Sequence, residues 1–159
     1  MKSILHQSVF FLILLAIVGC SKKNNTPNSA ASVTTNSFFL KKDGISFTPV
    51  YIEVLELSSN SVAVTATASL YSNANLFSFM IDKQTPVGSY DYETLIDEYG
   101  FWFAHSDSDF DILYINEGVI EIVQQDTIQK ILEVKFQLEI EGSTAQTHQI
   151  TEGHFKVHY

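Results

Sequence analysis

Strict alternation of apolar and polar side chains constrains this chain more than any other feature. From Lys130 to Glu141, Leu132, Val134, Phe136, Leu138 and Ile140 fall on one side. Ile131, Glu133, Lys135, Gln137, Glu139 and Glu141 fall on the other. A period of two sends successive side chains to opposite faces of a strand, so one face is buried and one is wet, as in an antiparallel sheet. Ser61 to Leu70 repeats the pattern, with Val62, Val64, Ala66, Ala68 and Leu70 inward. Asn75 to Asp82 groups Phe77, Phe79 and Ile81, and the last run sets Phe155, Val157 and Tyr159 against His154, Lys156 and His158.

Shorter strands are expected at Phe38 to Lys42, Val50 to Leu57, Ser89 to Tyr92, Tyr99 to His105, Asp111 to Ile115 and Gly118 to Gln124. Turn chemistry falls at Lys42-Asp43-Gly44, Ser58-Ser59-Asn60, Asn73-Ala74-Asn75, Asn116-Glu117-Gly118, Glu141-Gly142 and Glu152-Gly153. Tyr92 to Tyr99 has room for one short helical turn at most. The pattern implies an all-β fold, an antiparallel β-sandwich of roughly 8–11 short strands. A flattened up-and-down β-barrel, lipocalin-like, is the alternative.

The N-terminus carries an address. Lys2 precedes an apolar run from Val9 to Val18, which is shorter than the roughly 20 residues a spanning helix needs. Ile17-Val18-Gly19-Cys20 resembles a lipobox, in which the cysteine thiol takes up a diacylglyceryl group and becomes the new N-terminus. Cys20 is the single cysteine, so no disulfide forms within the chain. The expected organisation is a signal peptide over 1–19, the lipidated Cys20 with a polar tether over 20–36, and one β-domain over 37–159. Lys22 and Lys23 follow the cysteine where exported surface lipoproteins of Bacteroidota typically carry acids. An outer-membrane lipoprotein facing the periplasm is therefore expected.

All eighteen acids lie from Asp43 onward, against only four of the nine lysines, and arginine is absent. Such a domain is repelled by phosphate backbones and lacks the guanidinium forks that grip them, which excludes nucleic acid as a partner.

Several strand-and-turn segments resemble a family of small, uncharacterised Bacteroidota lipoproteins. They are Lys42-Asp43-Gly44-Ile45-Ser46-Phe47, Val87-Gly88-Ser89-Tyr90, Gly118-Val119-Ile120-Glu121-Ile122, Val134-Lys135-Phe136-Gln137-Leu138 and the stretch from Ile150 to Val157. The likeness implies an all-β architecture and an envelope location; it brings no catalytic or binding residues.

Candidate chemistry is sparse. Asp107, Asp109 and Asp111 have the alternate spacing of calcium ligands, but an EF-hand would need glycine and a carboxylate where Ile112 and Gly118 stand. A solvated acidic turn is the plainer reading and calcium the alternative. His154 and His158 share a strand face about 13 Å apart, too far to hold one metal ion. His105, Ser106 and Asp107 are adjacent in sequence, which is no sign of a triad, and neither a nucleophile elbow nor a glycine-rich phosphate loop occurs. No enzymatic activity is expected. Tyr99, Phe101 and Phe103 are expected on one face and the sole Trp102 on the other. An exposed indole beside acids such as Asp97 and Glu98 can stack on a sugar ring or anchor a protein, but the plainer reading is that all four aromatics pack, with the indole covering a sheet edge. The expected function is a lipid-anchored envelope domain that presents a surface to an envelope protein or glycan. The alternatives are a carrier or sensor of a small apolar or glycan ligand and, more weakly, a hydrolase.

Overall fold

The alternation resolves into ten strands and one helix among the described residues. The computed structural model describes residues 35–57, 60–68, 75–106, 112–142 and 145–159, and Thr34–Tyr159 forms one compact unit. In chain order the elements are β1 (Ser37–Lys42), β2 (Ile45–Phe47), β3 (Tyr51–Leu57), β4 (Ser61–Thr67), β5 (Leu76–Asp82) and β6 (Gly88–Asp91). There follow α1 (Tyr92–Tyr99), β7 (Trp102–Ser106), β8 (Ile112–Asp126), β9 (Ile131–Glu141) and β10 (Thr147–His158).

All pairings are antiparallel. The first sheet runs β2-β1-β10-β9-β8, with β6 on the far side of β8. The second runs β3-β4-β5-β7 and meets the start of β8 at Leu113 and Ile112. Strand β8 thus belongs to both sheets. The strands do not close into a barrel, so the fold is an all-β sandwich and the lipocalin-like alternative is set aside.

The period-two faces pack against each other. Leu132, Val134, Phe136, Leu138 and Ile140 of β9 are buried, as are Val62, Val64, Ala66, Phe77, Phe79 and Ile81 from the second sheet. Phenylalanine rings fill the centre. Phe79 lies 4.7 Å from Phe136 and 5.4 Å from Phe155 across the sheets, and Phe38 stacks parallel to Phe155 at 6.0 Å. Each such ring contributes about 1.5–3 kcal/mol on burial, and each ring pair about 0.5–1.5 kcal/mol more.

Asp43-Gly44 forms the expected hairpin turn, with φ of 51° and 77°, between β1 and β2. Two other glycine signals are not turns. Asn116-Glu117-Gly118 lies inside β8, beside a bulge between Ile115 and Glu117, and joins what were expected as two strands. Glu152-Gly153 lies inside β10, at a bulge between Ile150 and Gly153, with Glu152 at φ 52°. Close approach explains both glycines. A Cβ on Gly118 would sit 2.6 Å from the Gln137 carbonyl oxygen, and one on Gly153 would sit 2.3 Å from the Phe136 ring.

The helix is longer than expected. Tyr92–Tyr99 makes two turns, started by Asp91, whose carboxylate accepts from the Thr94 amide at 2.8 Å, and ended by Gly100 at φ 65°. Tyr99 therefore closes the helix, and the strand expected from that residue begins at Trp102.

Candidate functional site

On β7 the alternation holds: Phe103 and His105 turn inward while Trp102, Ala104 and Ser106 turn outward. Strand register then fixes which side chains flank the indole. Trp102 pairs with Met80, Met80 with Ala63 and Ala63 with Leu55, a row across four strands about 14 Å wide. The next row is Ala104, Ser78, Thr65 and Glu53, in which the Thr65 and Ser78 hydroxyls hydrogen-bond at 2.9 Å. The third is Ser106, Leu76, Thr67 and Tyr51. Glu53 is the only charged residue in these three rows. Trp102 is 50% exposed, and Leu55 and Tyr51 are each 47% exposed.

The opposite outer face, on the first sheet, is densely charged. Glu133 accepts from Lys156 Nζ at 2.7 Å and lies 3.1 Å from His154 Nε2. Lys156, then His154, hold the Glu133 carboxyl below the usual carboxylate range. Shallow depressions on this face are lined by residues such as Glu93, Glu117, Glu121, Lys135 and Glu139. At one end of the sandwich, Glu56 binds Lys130 at 2.8 Å and Lys83 at 2.6 Å, and these bonds bring its pKa down to about 2.

Other histidines are held in place by neighbours. His105 is fully buried and stacks on Phe77 at 4.0 Å. Its Nδ1 faces the Leu76 carbonyl oxygen at 2.8 Å, and Lys42 Nζ lies 3.1 Å from Nε2. A carbonyl only accepts and an ammonium only donates, so the ring carries its proton on Nδ1 and accepts on Nε2. His148 Nδ1 lies 2.7 Å from the Asp43 carboxylate, which also accepts from the Gln149 amide at 2.9 Å.

The residues singled out in the sequence scatter. Trp102 lies on the outer face of the second sheet, where Glu53 and Asp82 are the charged strand residues. Phe101 is 4% exposed and packs beside Phe79 at 6.3 Å, so it does not share a surface with the indole. Tyr99 sits edge-on to Tyr90 at 5.6 Å. Cys20, Asp107, Asp109 and Asp111 lie outside the described residues. Among the described residues, no three histidine, cysteine or acidic side chains are placed to hold a metal ion. Sequence reasoning missed Tyr51, Leu55, Ala63 and Met80. The signal was present in Tyr51-Ile52-Glu53-Val54-Leu55-Glu56-Leu57, where both faces of the strand carry large apolar residues. No family model, curated protein or solved structure matches the chain.

Proposed function

We propose that this chain is a lipid-anchored, non-enzymatic protein of the bacterial envelope. Its β-sandwich presents the outer face of the second sheet to a partner protein. One observation carries the reading: the row Leu55, Ala63, Met80 and Trp102 is solvent-facing and uncharged in a chain of net charge −9. Uncharged surface of this kind, centred on an exposed indole, is the composition of a binding core. The Ile17-Val18-Gly19-Cys20 run supports the anchor, and the lysines that follow it support retention on the periplasmic side of the outer membrane. The phenylalanine rings between the sheets occupy the volume that an internal apolar ligand would need, which favours a surface partner over a carried ligand.

A photo-cross-linking residue in place of Leu55, compared with one in place of Glu121 on the charged face, tests the surface. A covalent adduct with another envelope protein is expected from position 55 and not from 121. A glycan adduct at 55 would replace the protein with a sugar partner, and equal labelling at both positions would refute the reading. Growth on labelled palmitate is expected to label the wild-type chain and not Cys20→Ser. An unlabelled wild-type chain would remove the anchor.

A further inference from the structure

The three strands that end the sheets are unlike one another. β2 has three residues, β6 has four and leads directly into α1, and β3 has seven. A strand at the end of a sheet carries unpaired amides and carbonyls along its far side. Natural sheets blunt such edges with short strands, charged side chains, above all lysine, proline or bulges. β3 is neither short nor bulged, and its only charges are Glu53 and Glu56. Tyr51–Leu57 has no lysine, proline or glycine, and its register with β4 is unbroken over all seven pairs. Among the described residues no strand lies on its other side. Of its outward side chains, Tyr51, Leu55 and Leu57 are 47%, 47% and 38% exposed, and Glu53 is the one charge among them.

We infer that β3 pairs antiparallel with β3 of a second copy of this chain, about a two-fold axis at Val54. An extended strand is the only occupant that meets alternating amides and carbonyls, and the side-chain pattern of β3 complements itself. Centred on Val54, the pairs are Val54 with Val54, Glu53 with Leu55, Ile52 with Glu56 and Tyr51 with Leu57. No two acids oppose each other, whereas a centre on Glu53 or Glu56 would set carboxylate against carboxylate. The row that ends at Leu55 in one copy then continues into the row that begins at Glu53 in the other, so each Glu53 meets a leucine. Charge argues the same way. In a chain of net charge −9, β3 brings only Glu53 and Glu56 of each copy to the seam, and Glu56 is already paired with Lys83 and Lys130. Added salt should therefore strengthen the pair by screening the remaining repulsion, whereas it would weaken the docking of a basic partner strand. The inference goes beyond the proposed function, and a chain that never pairs would leave that reading standing.

The test is a short bis-maleimide cross-link in detergent extracts of cells expressing the full chain. Val54→Cys is expected to give a band at twice the chain mass, absent from the wild type and from Glu121→Cys. Tyr51→Cys combined with Leu57→Cys is expected to do the same. Either of those substitutions alone is not, because like positions are then about 20 Å apart along the strands. The double variant alters only exposed side chains, so it remains informative if Val54→Cys fails to fold. Leu55→Glu, which places a carboxylate opposite Glu53, is expected to lower the double variant's dimer yield roughly tenfold. Raising salt from about 0.05 to about 0.3 M is expected to increase the yield. No dimer above the Glu121→Cys control from either variant would overturn the pairing. Cross-linking by Leu57→Cys alone would overturn its register, and a yield that falls with salt would overturn the claim that repulsion between the acidic copies opposes the pair.

Discussion

Replacing Gly153 by alanine tests whether the bulge in β10 is shaped by the ring that lies over it. The new Cβ would fall 2.3 Å from Phe136 Cε2, 2.4 Å from Cδ2 and 2.7 Å from Cγ, where ordinary contact begins at 3.4 Å. The ring must therefore retreat by about 1 Å into neighbours that are already close. Phe79 stands 4.7 Å away, Phe38 6.2 Å and Phe155 6.3 Å, and Phe136 is only 2% exposed. Overpacking of this kind costs about 1–3 kcal/mol. Gly153 is not among the left-handed glycines, so alanine adds no backbone strain and recovers about 0.4–1 kcal/mol through the unfolded chain. The net expectation is a loss of about 1–2 kcal/mol, or a fall in Tm of about 3–10 °C in a domain of this size. Two neighbours calibrate the result. At Gly88 the nearest obstacle is the Tyr90 hydroxyl at 3.3 Å, the movable end of a side chain, so Gly88→Ala should be neutral or slightly stabilising. At Gly118 the obstacle is a backbone carbonyl at 2.6 Å, which yields least, so Gly118→Ala should cost the most. Urea denaturation of the three variants reads the order directly. If Gly153→Ala proved as harmless as Gly88→Ala, the ring would not be what demands glycine, and the explanation of the bulge would fail.

Three further outcomes follow from the same geometry. Glu56 titrates near 2 in the folded chain against an ordinary 4.5, so its ion pairs stabilise above 4.5 and lose their effect as pH falls towards 2. The stability gap between wild type and Glu56→Gln should hold near neutrality and close across that window in acid unfolding; a gap independent of pH would contradict the pairing. Trp102→Ala should change stability by about 1 kcal/mol or less, and acrylamide should quench the native fluorescence of this sole indole almost as well as that of the unfolded chain. A blue-shifted, protected emission would place the side chain inside and remove the proposed surface. His105→Phe keeps the ring stack on Phe77 but removes the donor to the Leu76 carbonyl and the acceptor for Lys42, at a cost of about 1–3 kcal/mol. Lys42→Met should then add little in that background, and full additivity in a double-mutant cycle would show that the two side chains act independently.

How much of this was legible in the sequence depends on what each residue has to satisfy. The core faces of β4, β5, β9 and β10 were readable because burying one side of a strand imposes a period of two, and Val64, Phe79, Phe136 and Phe155 obey it. The ends of elements were less readable where glycine has two uses. Gly44 and Gly100 adopt left-handed backbone and do end elements, whereas Gly118 and Gly153 serve close approach in the middle of strands. A single chain cannot reveal which use applies, because the crowding atoms at Gln137, Leu138 and Phe136 come from β9 and are brought there by pairing. Helix α1 was underestimated for a related reason. Its apolar face is narrow, with Leu95 the one fully buried side chain, so its length depends on caps at Asp91 and Gly100 rather than on periodicity.

The candidate site hid behind the same rule that exposed the core. Alternation identifies a buried face by its contrast with a polar one, and β3 offers no contrast, since Ile52 and Val54 alternate with Tyr51, Leu55 and Leu57. A strand with apolar residues on both faces belongs either in the middle of a larger assembly or at a surface that something else covers. Here β3 ends its sheet, so the first option needs another strand at its edge and the second needs a partner on its outer face. The charges separate accordingly. Lys156 and His154 are spent on Glu133 across the first sheet, and Lys83 and Lys130 on Glu56 at the end of the sandwich, while the row from Trp102 to Leu55 carries no charge and the next carries Glu53 alone. In a chain with twice as many acids as lysines, an outer sheet face whose strand positions carry only Glu53 and Asp82 as charges is the one suited to being covered. Covering it, by a partner or by a second copy, is the physical consequence that ties the pattern of β3 to the exposure of Trp102.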